Sequence, residues 1–324
     1  MSSATAIAHP NIALVKYWGK RDAALNLPAV GSISITLDTL ATTTSVQFDS
    51  DLDRDTLSLD GQSSETSLGR VSACLDLLRA RAGVDTRAAV STSNNFPTGA
   101  GLASSASGFA ALVTAADAAL SLDLPPQTRS ILARQGSGSA ARSIFGGYVE
   151  MHLGKASDGS DCFAEPLLDA PDWPMTVTVA VVSKTSKKVG STEGMELTRH
   201  TSPYYDAWVA GQSADLDEAR SAIEARDFDK LAEISEHSCL KMHALAAAAR
   251  PGLVYLQGPT LEAMHRVRAL RASGCGVFFT IDAGPQLKAI SLPEHRGQVT
   301  SALADIDGVV EILQSGLGEG ARVV

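Results

Sequence analysis

The sequence predicts a mixed α/β protein built in two lobes, and three observations carry that prediction. Ile33, Ile35 and Leu37 alternate with Ser34 and Thr36, the pattern of a strand with one buried face. Phe109, Leu112, Val113, Ala116 and Leu120 recur at helical spacing. The 324 residues leave room for one large domain or two fused lobes, at about 150 residues per domain. The run M-T-V-T-V-A-V-V, Met175 to Val182, reads as a buried strand opening the second lobe, so the expected division is 1–174 and 175–324.

Taken in order, Ala8 to Asp22 (A-H-P-N-I-A-L-V-K-Y-W-G-K-R-D) reads as a buried strand ending in polar residues. Lys16, Lys20 and Arg21 stand there beside Tyr17 and Trp18, and a solvated strand end would account for the three cations. Leu27 to Leu40 is the alternating strand, Thr42 to Phe48 the next strand, Asp49 to Ser64 a polar turn region, and Leu68 to Ala82 a helix. From Asn94 to Ala119 a loop with Pro97, Gly99 and Gly101 leads into a helix whose N-cap hydroxyls are Ser104 and Ser105. The free N–H groups of such a helix start make a phosphate seat. No Gly-Lys-Ser/Thr closes the loop, so it is not the lysine-bearing P-loop. An ordinary glycine turn before an amphipathic helix explains these residues equally well.

Pro125 and Pro126 open a further helical stretch. The segment Arg134 to Glu150 (R-Q-G-S-G-S-A-A-R-S-I-F-G-G-Y-V-E) then sets Arg142 within one turn of Ser137 and Ser139. A guanidinium fork beside small polar groups suits a carboxylate or phosphate, and a loop arginine bonded to carbonyls is the plainer alternative. Ser183 to Met195, with Lys187 and Lys188, reads as a mobile basic loop, a composition most often met as solvated surface. Asp215 to Ala249 reads as two core helices and Pro259 to Ala272 as another. Gly274 to Pro285 is an apolar strand that delivers Asp282 before a Gly-Pro break, where an Asp serves either as a turn cap or as a catalytic base.

Composition excludes several classes. Apolar residues make up 44%, and no run approaches the roughly 18 uninterrupted apolar residues of a membrane span. The first ten residues lack the charged start and apolar core of a secretory signal, so a soluble, cytosolic protein is expected. Net charge is −9 without a basic cluster interleaved with aromatics, which argues against nucleic acid. Cys74, Cys162, Cys239 and Cys275 form no C-x-x-C pair, and His237 to His243 fits no zinc spacing, so reduced thiols and no transition metal are expected.

Four of these segments resemble one family in order. P-T-G-A-G-L-A-S-S-A is similar to the phosphate loop of the GHMP small-molecule kinases. N-I-A-x-x-K-Y-W-G-K-R, R-Q-G-S-G-S-A-x-R-S and D-A-G-P resemble the three signatures of the diphosphomevalonate decarboxylases within that superfamily. One departure is Val30-Gly31-Ser32 where the family usually has Asn-Ser-Ser. The resemblance implies a GHMP-kinase-like fold, an α/β lobe and an α+β lobe with the active site in the cleft between them. It implies ATP and Mg²⁺ as cofactors, mevalonate 5-diphosphate as substrate, and a homodimer.

It also implies roles. Asp282, Lys16 and Arg142 are the expected catalytic set, with Asp282 the base, Lys16 stabilising charge and Arg142 gripping the carboxylate. Asn11, Tyr17, Lys20, Ser137, Ser139, Ser191 and Thr192 are expected to bind substrate, with Lys187 and Lys188 weaker phosphate candidates. Asn94, Pro97, Gly99, Ala100, Gly101, Leu102, Ala103, Ser104 and Ser105 are expected to hold ATP, the two serines also serving Mg²⁺. Three alternatives stay open at this point: a decarboxylase of mevalonate 5-phosphate, a 3-hydroxy kinase that stops at phosphorylation, and a catalytically silent nucleotide-binding protein on the same fold.

Overall fold

A computed structural model describes residues 2–96, 104–185 and 188–324. Helices α1 (Glu65–Ala82), α2 (Ser104–Ala119) and α3 (Pro126–Gly136) belong to the first half of the chain. Helices α4 (Ser191–Thr201), α5 (Tyr205–Ala225), α6 (Phe228–Ala247), α7 (Gly258–Ala272) and α8 (Arg296–Ala304) belong to the second.

A six-stranded sheet takes the order Arg322–Val323, Ser2–Ala8, Thr42–Phe48, Ala88–Asn94, Thr56–Leu59, Gln62–Ser63. Ala6, Val46, Phe48, Leu57 and Val90 bury one face of it against Leu75 and Leu78 of α1 and the alanine-rich α2. The chain's last strand thus pairs with its first, Ala6 opposite Val323. A four-stranded sheet (Ala164–Leu168, Tyr148–Met151, Ser32–Thr36, Asn11–Val15) ends at the strand preceding Lys16, and a second four-stranded sheet (Val277–Ile281, Leu287–Ser291, Thr176–Val181, Glu311–Gly316) ends at the strand preceding Asp282.

These two sheets share one core. Ile12, Leu14, Ile33 and Ile35 pack with Val177, Val179, Phe278 and Ile290 and with Ile223 of α5 and Leu231 of α6. Hydrogen bonds also cross between the lobes, two of them beside the cleft residues. The Lys16 N–H donates to Ser238 Oγ on α6 at 2.9 Å, and Thr280 Oγ1 donates to the Ala13 carbonyl at 3.2 Å. At full burial each aliphatic side chain contributes about 1.5–3 kcal/mol, so this shared core holds the strand ends on the two sides of the cleft in fixed register.

The structure corrects four readings. The segment 27–40 is not one strand, because Leu27–Pro28 and Ser32–Thr36 lie in different sheets. The segment 183–195 is not all loop, because α4 begins at Ser191. Ala8–Asp22 is not one strand. Pro10 separates Ser2–Ala8 from Asn11–Val15, which lie in different sheets, and Lys20–Asp22 pairs instead with Leu27–Pro28. The polar region 49–64 is not merely a turn, because Thr56–Leu59 and Gln62–Ser63 form a hairpin there, with Leu57 buried. Asp60 (φ 51°) and Gly61 (φ 81°) supply the two left-handed positions that a tight two-residue hairpin turn requires.

Candidate active site

A cleft of about 680 Å³ lies between the lobes. Twelve of the residues singled out from the sequence line it together: Asn11, Lys16, Tyr17, Lys20, Ser104, Ser105, Ser137, Ser139, Arg142, Ser191, Thr192 and Asp282. They arrive on strand ends and helix starts, where rigid elements stop and side chains face a common space.

Asp282 follows directly on Val277–Ile281, and the Gly284 N–H folds back onto its carbonyl at 2.7 Å. Lys16 Nζ donates to Asp282 Oδ1 at 2.7 Å, and Lys288 Nζ lies 3.1 Å from Oδ2. The lysine side chains are 1% and 2% exposed, whereas Asp282 keeps 28%. Burial alone would raise the Asp282 pKa, but the two ammonium groups outweigh it and hold the carboxyl far below the usual carboxylate range. It is therefore ionised at any working pH. Burial lowers the Lys288 pKa, with Asp282 opposing and Lys16 adding to the fall.

Arg142 sits on a short 3-10 turn, Gly138–Ile144, and is 2% exposed. Its hydrogen-bond acceptors among the described residues are all neutral. Nε and Nη2 donate to Asn11 Oδ1 at 3.2 and 3.0 Å, Nε to Ser34 Oγ at 3.0 Å, and Nη1 to Ser32 Oγ at 2.5 Å and Met151 Sδ at 3.8 Å. Asn11 is locked in that pose because its Nδ2 donates to the Ser139 carbonyl at 2.9 Å and Ser143 Oγ at 2.8 Å. Burial pulls the Arg142 pKa down to about 10, with Tyr17 and Asp282 opposing. A buried guanidinium held by neutral acceptors is costly on its own and calls for an anion from outside. The Tyr17 ring lies 6.0 Å from it, and burial raises the Tyr17 pKa; the hydroxyl is buried with no hydrogen-bond partner among the described residues. Gly138 lies against that phenol, where a Cβ would collide with its oxygen.

Two helix starts face the cleft. Ser104 and Ser105 occupy the first turn of α2, and Ser137 Oγ donates to Ser105 Oγ at 3.3 Å. Across from them Ser191 and Thr192 open α4, whose N-cap is Gly190. Such N–H groups and dipoles favour phosphate. A smaller cavity of about 160 Å³ shares Ser104, Ser105 and Arg70 with the cleft. Leu57, Val71, Val90, Phe109 and Leu112 wall it, and Asn94, which accepts from Thr42 Oγ1 at 2.6 Å, stands on its rim. An apolar slot opening onto a phosphate seat suits a nucleoside.

Pro97, Gly99, Ala100, Gly101, Leu102 and Ala103 of the expected ATP loop, and Lys187, lie outside the described residues. Lys188 is exposed and does not line the cleft, nor do Val30 and Gly31. Val30 packs with Trp18 and Trp208, and Gly31 abuts Leu216 of α5, so the departure from the family pattern falls on packing.

Sequence reasoning missed Lys288 and Arg70. Lys288 breaks the apolar run L-K-A-I-S at a buried position, a signal that was present. Arg70 carries no local signal, because its donation to the Gly136 carbonyl at 2.7 Å depends on tertiary contact.

No cluster of three or more His, Cys, Asp or Glu suited to a metal occurs among the described residues. The donors present are hydroxyls at a helix start. These fit Mg²⁺ delivered on phosphate oxygens, the usual mode for an ion that keeps few protein ligands.

Fold and site together define a two-lobed α/β enzyme of the GHMP-kinase type. Residues 8–164 match the family described as diphosphomevalonate decarboxylase-like N-terminal domain, and residues 177–314 the mevalonate 5-diphosphate decarboxylase C-terminal domain. The chain belongs to the diphosphomevalonate decarboxylase family, as a carboxy-lyase. It is 40% identical to diphosphomevalonate decarboxylase of Gibberella zeae, over 87% of this chain and 79% of the relative. The mevalonate diphosphate decarboxylase structure from Staphylococcus aureus superposes with a TM-score of 0.93 at 39% identity, covering 100% of this chain and 98% of that one. A third relative, designated MDDEF and solved in complex with MVAPP, AMPPCP and magnesium, gives 0.92 at 36% identity, covering 100% and 99%.

Proposed function

We propose that this chain converts mevalonate 5-diphosphate and ATP to isopentenyl diphosphate, CO₂, ADP and phosphate. The observation that carries the reading is the buried Arg142, held by neutral acceptors in the same cleft as the Lys16–Asp282 pair. One end of the site is built for an anion and the other for a hydroxyl. That is the pairing presented by a 3-hydroxy carboxylate.

In this reading Arg142 takes the substrate carboxylate, and Tyr17, Lys20, Ser137, Ser139, Ser191 and Thr192 take the diphosphate tail. Ser104 and Ser105 with the α2 start would hold the ATP phosphates and a Mg²⁺ ion, whose charge would offset that of the phosphates. Asn94 and the smaller cavity take the nucleoside. Asp282 accepts a hydrogen bond from the C3 hydroxyl. Two lysines make it a weak base, so it orients the oxygen first and takes the proton late, after the oxygen–phosphorus bond has begun to form and the hydroxyl has become acidic. Lys16 stabilises charge on the transferring phosphoryl group. The C3–O bond of the phosphorylated substrate then breaks. The electrons of the C–CO₂⁻ bond form the alkene, releasing CO₂ and phosphate.

The reading further includes Mg²⁺ and ATP as this chain's own cofactors, a division into lobes near residue 174, a homodimer and a cytoplasmic location. No observation favours mevalonate 5-phosphate, since Val30 and Gly31 lie away from the cleft. The test is to offer mevalonate, its 5-phosphate and its 5-diphosphate separately with ATP, and to follow CO₂, ADP and phosphate. The diphosphate is expected to be the best substrate with equal CO₂ and ADP. ADP without CO₂ would make the chain a kinase, and nucleotide binding without turnover a silent relative.

A further inference from the structure

We propose that Lys288 is a positioning residue for this reaction: it anchors the second oxygen of Asp282 from within the sheet, so that Oδ1 meets the C3 hydroxyl in one fixed orientation. The proposal rests on the role given to Asp282 above.

The argument begins with where Lys288 stands. On Leu287–Ser291 it lies opposite Thr280 on one neighbouring strand and Val179 on the other. The next row on that face is Val177, Ile290 and Phe278, all in the core shared by the lobes. An ammonium group inside a face of Val, Ile and Phe is costly unless it is paired. Asp282 comes two residues after Thr280, diagonal to Lys288, within reach of a long side chain. The 3.1 Å contact to Oδ2 is that diagonal pair.

The two lysines differ in what they face. Lys16 lines the cleft, and an incoming phosphoryl group will draw it away from Asp282. Lys288 does not line the cleft and is 2% exposed, so it stays on the carboxylate while Lys16 is shared. With Lys16 shared, a carboxylate without Lys288 would turn about its side-chain bonds, whereas one that Lys288 still holds at Oδ2 is kept in place. The trio also keeps one excess positive charge beside the place where phosphate negative charge gathers.

The test uses the full chain with ATP and mevalonate 5-diphosphate, reading ADP and CO₂ for wild type, Lys288→Met and Lys288→Gln, with thermal unfolding alongside. Lys288→Met is expected to lower kcat about tenfold, the scale of a small misplacement of a reacting group. KM for both substrates is expected to stay within about threefold. Tm should hold or rise, because an apolar side chain replaces a buried charge while Asp282 keeps Lys16. Lys288→Gln, which keeps an N–H donor on a shorter side chain, is expected to recover part of kcat. Wild-type kcat in Lys288→Met overturns the proposal, and so does a fall in Tm with raised KM that Lys288→Gln does not relieve. Should Lys288→Met fail to fold, Lys288→Gln decides alone: lowered kcat at unchanged KM supports the proposal, and any other pattern overturns it. Absence of turnover in wild type would overturn the functional reading itself, and this proposal with it.

Discussion

Two clusters of buried cations and carboxylates in this molecule are put together differently. In the first, Arg79 of α1 donates to both oxygens of Asp55 at 2.9 and 2.8 Å, to Asp76 Oδ1 at 2.7 and 3.1 Å, and to the Thr86 carbonyl at 3.4 Å. Asp55 also accepts the Ala88 N–H at 2.9 Å. This cluster is closed: Arg79 holds two carboxylates, and Arg87 Nη1 stands 3.7 Å from Asp76 Oδ1, so the charges balance within the protein. In the second, one carboxylate serves Lys16 and Lys288, and Arg142 has only neutral acceptors among the described residues. That cluster has an excess of cations and opens onto a cleft. The difference teaches that buried charge becomes a functional signal where its balance is left for a ligand to complete, and a structural one where the protein completes it.

Arg79→Met should separate the two most sharply. It leaves Asp55 buried without its cation and is expected to cost about 3–5 kcal/mol of stability, read as a fall in the urea midpoint. The kcat of the folded fraction should stay within about twofold. A collapse of activity with stability retained would break the distinction. Asp282→Asn should do the reverse. Loss of an orienting carboxylate lowers the kcat of the folded fraction by about 10²-fold or more, beyond any stability lost when Lys16 and Lys288 give up their carboxylate. Near-normal ATP-dependent CO₂ release would remove Asp282 from its proposed role.

The open cluster was more legible in the sequence than the closed one, for a physical reason. Lys16, Arg142 and Asp282 stand in contiguous strings, which a family resemblance can match; the residues alone left a solvated strand end, a loop arginine and a turn cap open. Asp55 and Arg79 meet across 24 positions through helix packing, and R-A-R near the end of α1 reads as a solvated helix terminus. Lys288 fell between these cases. Its partner is six residues away, but the contact depends on the register that sets it opposite Thr280. Alternation located the strands Ser32–Thr36 and Thr176–Val181. It missed Thr56–Leu59, where acidic residues crowd around one buried leucine, although the Asp60-Gly61 pair is a strong hairpin signal. Pro10 was the unused clue that the first strand breaks.

Acid should weaken the closed cluster next. Burial opposes ionisation of Asp55, but its bonds from Arg79, Ala88 and Ser72 prevail and lower its pKa. A carboxyl with a depressed folded-state pKa gives its full stabilisation above the unfolded value of about 3.9 and loses it as pH falls towards the folded value. Tm of wild type should therefore drop faster below about pH 4 than Tm of Asp55→Asn, and the gap between them should close. Parallel curves would show that Asp55 carries no linked proton.

Asp76 gives the smallest expected effect and the finest division within the closed cluster. It shares the Arg79 guanidinium with Asp55, at an equally short 2.7 Å, yet its side chain is 60% exposed where that of Asp55 is 3% exposed. Water and salt screen an exposed partner, so distance alone does not set the strength of the pair. Asp76→Asn is expected to cost less than about 1 kcal/mol, and raising the salt concentration should shrink that cost further. The urea midpoints of wild type and Asp76→Asn at low and high salt check both points. A loss as large as that of Arg79→Met would mean that the second carboxylate, rather than burial of the first, holds the guanidinium in place.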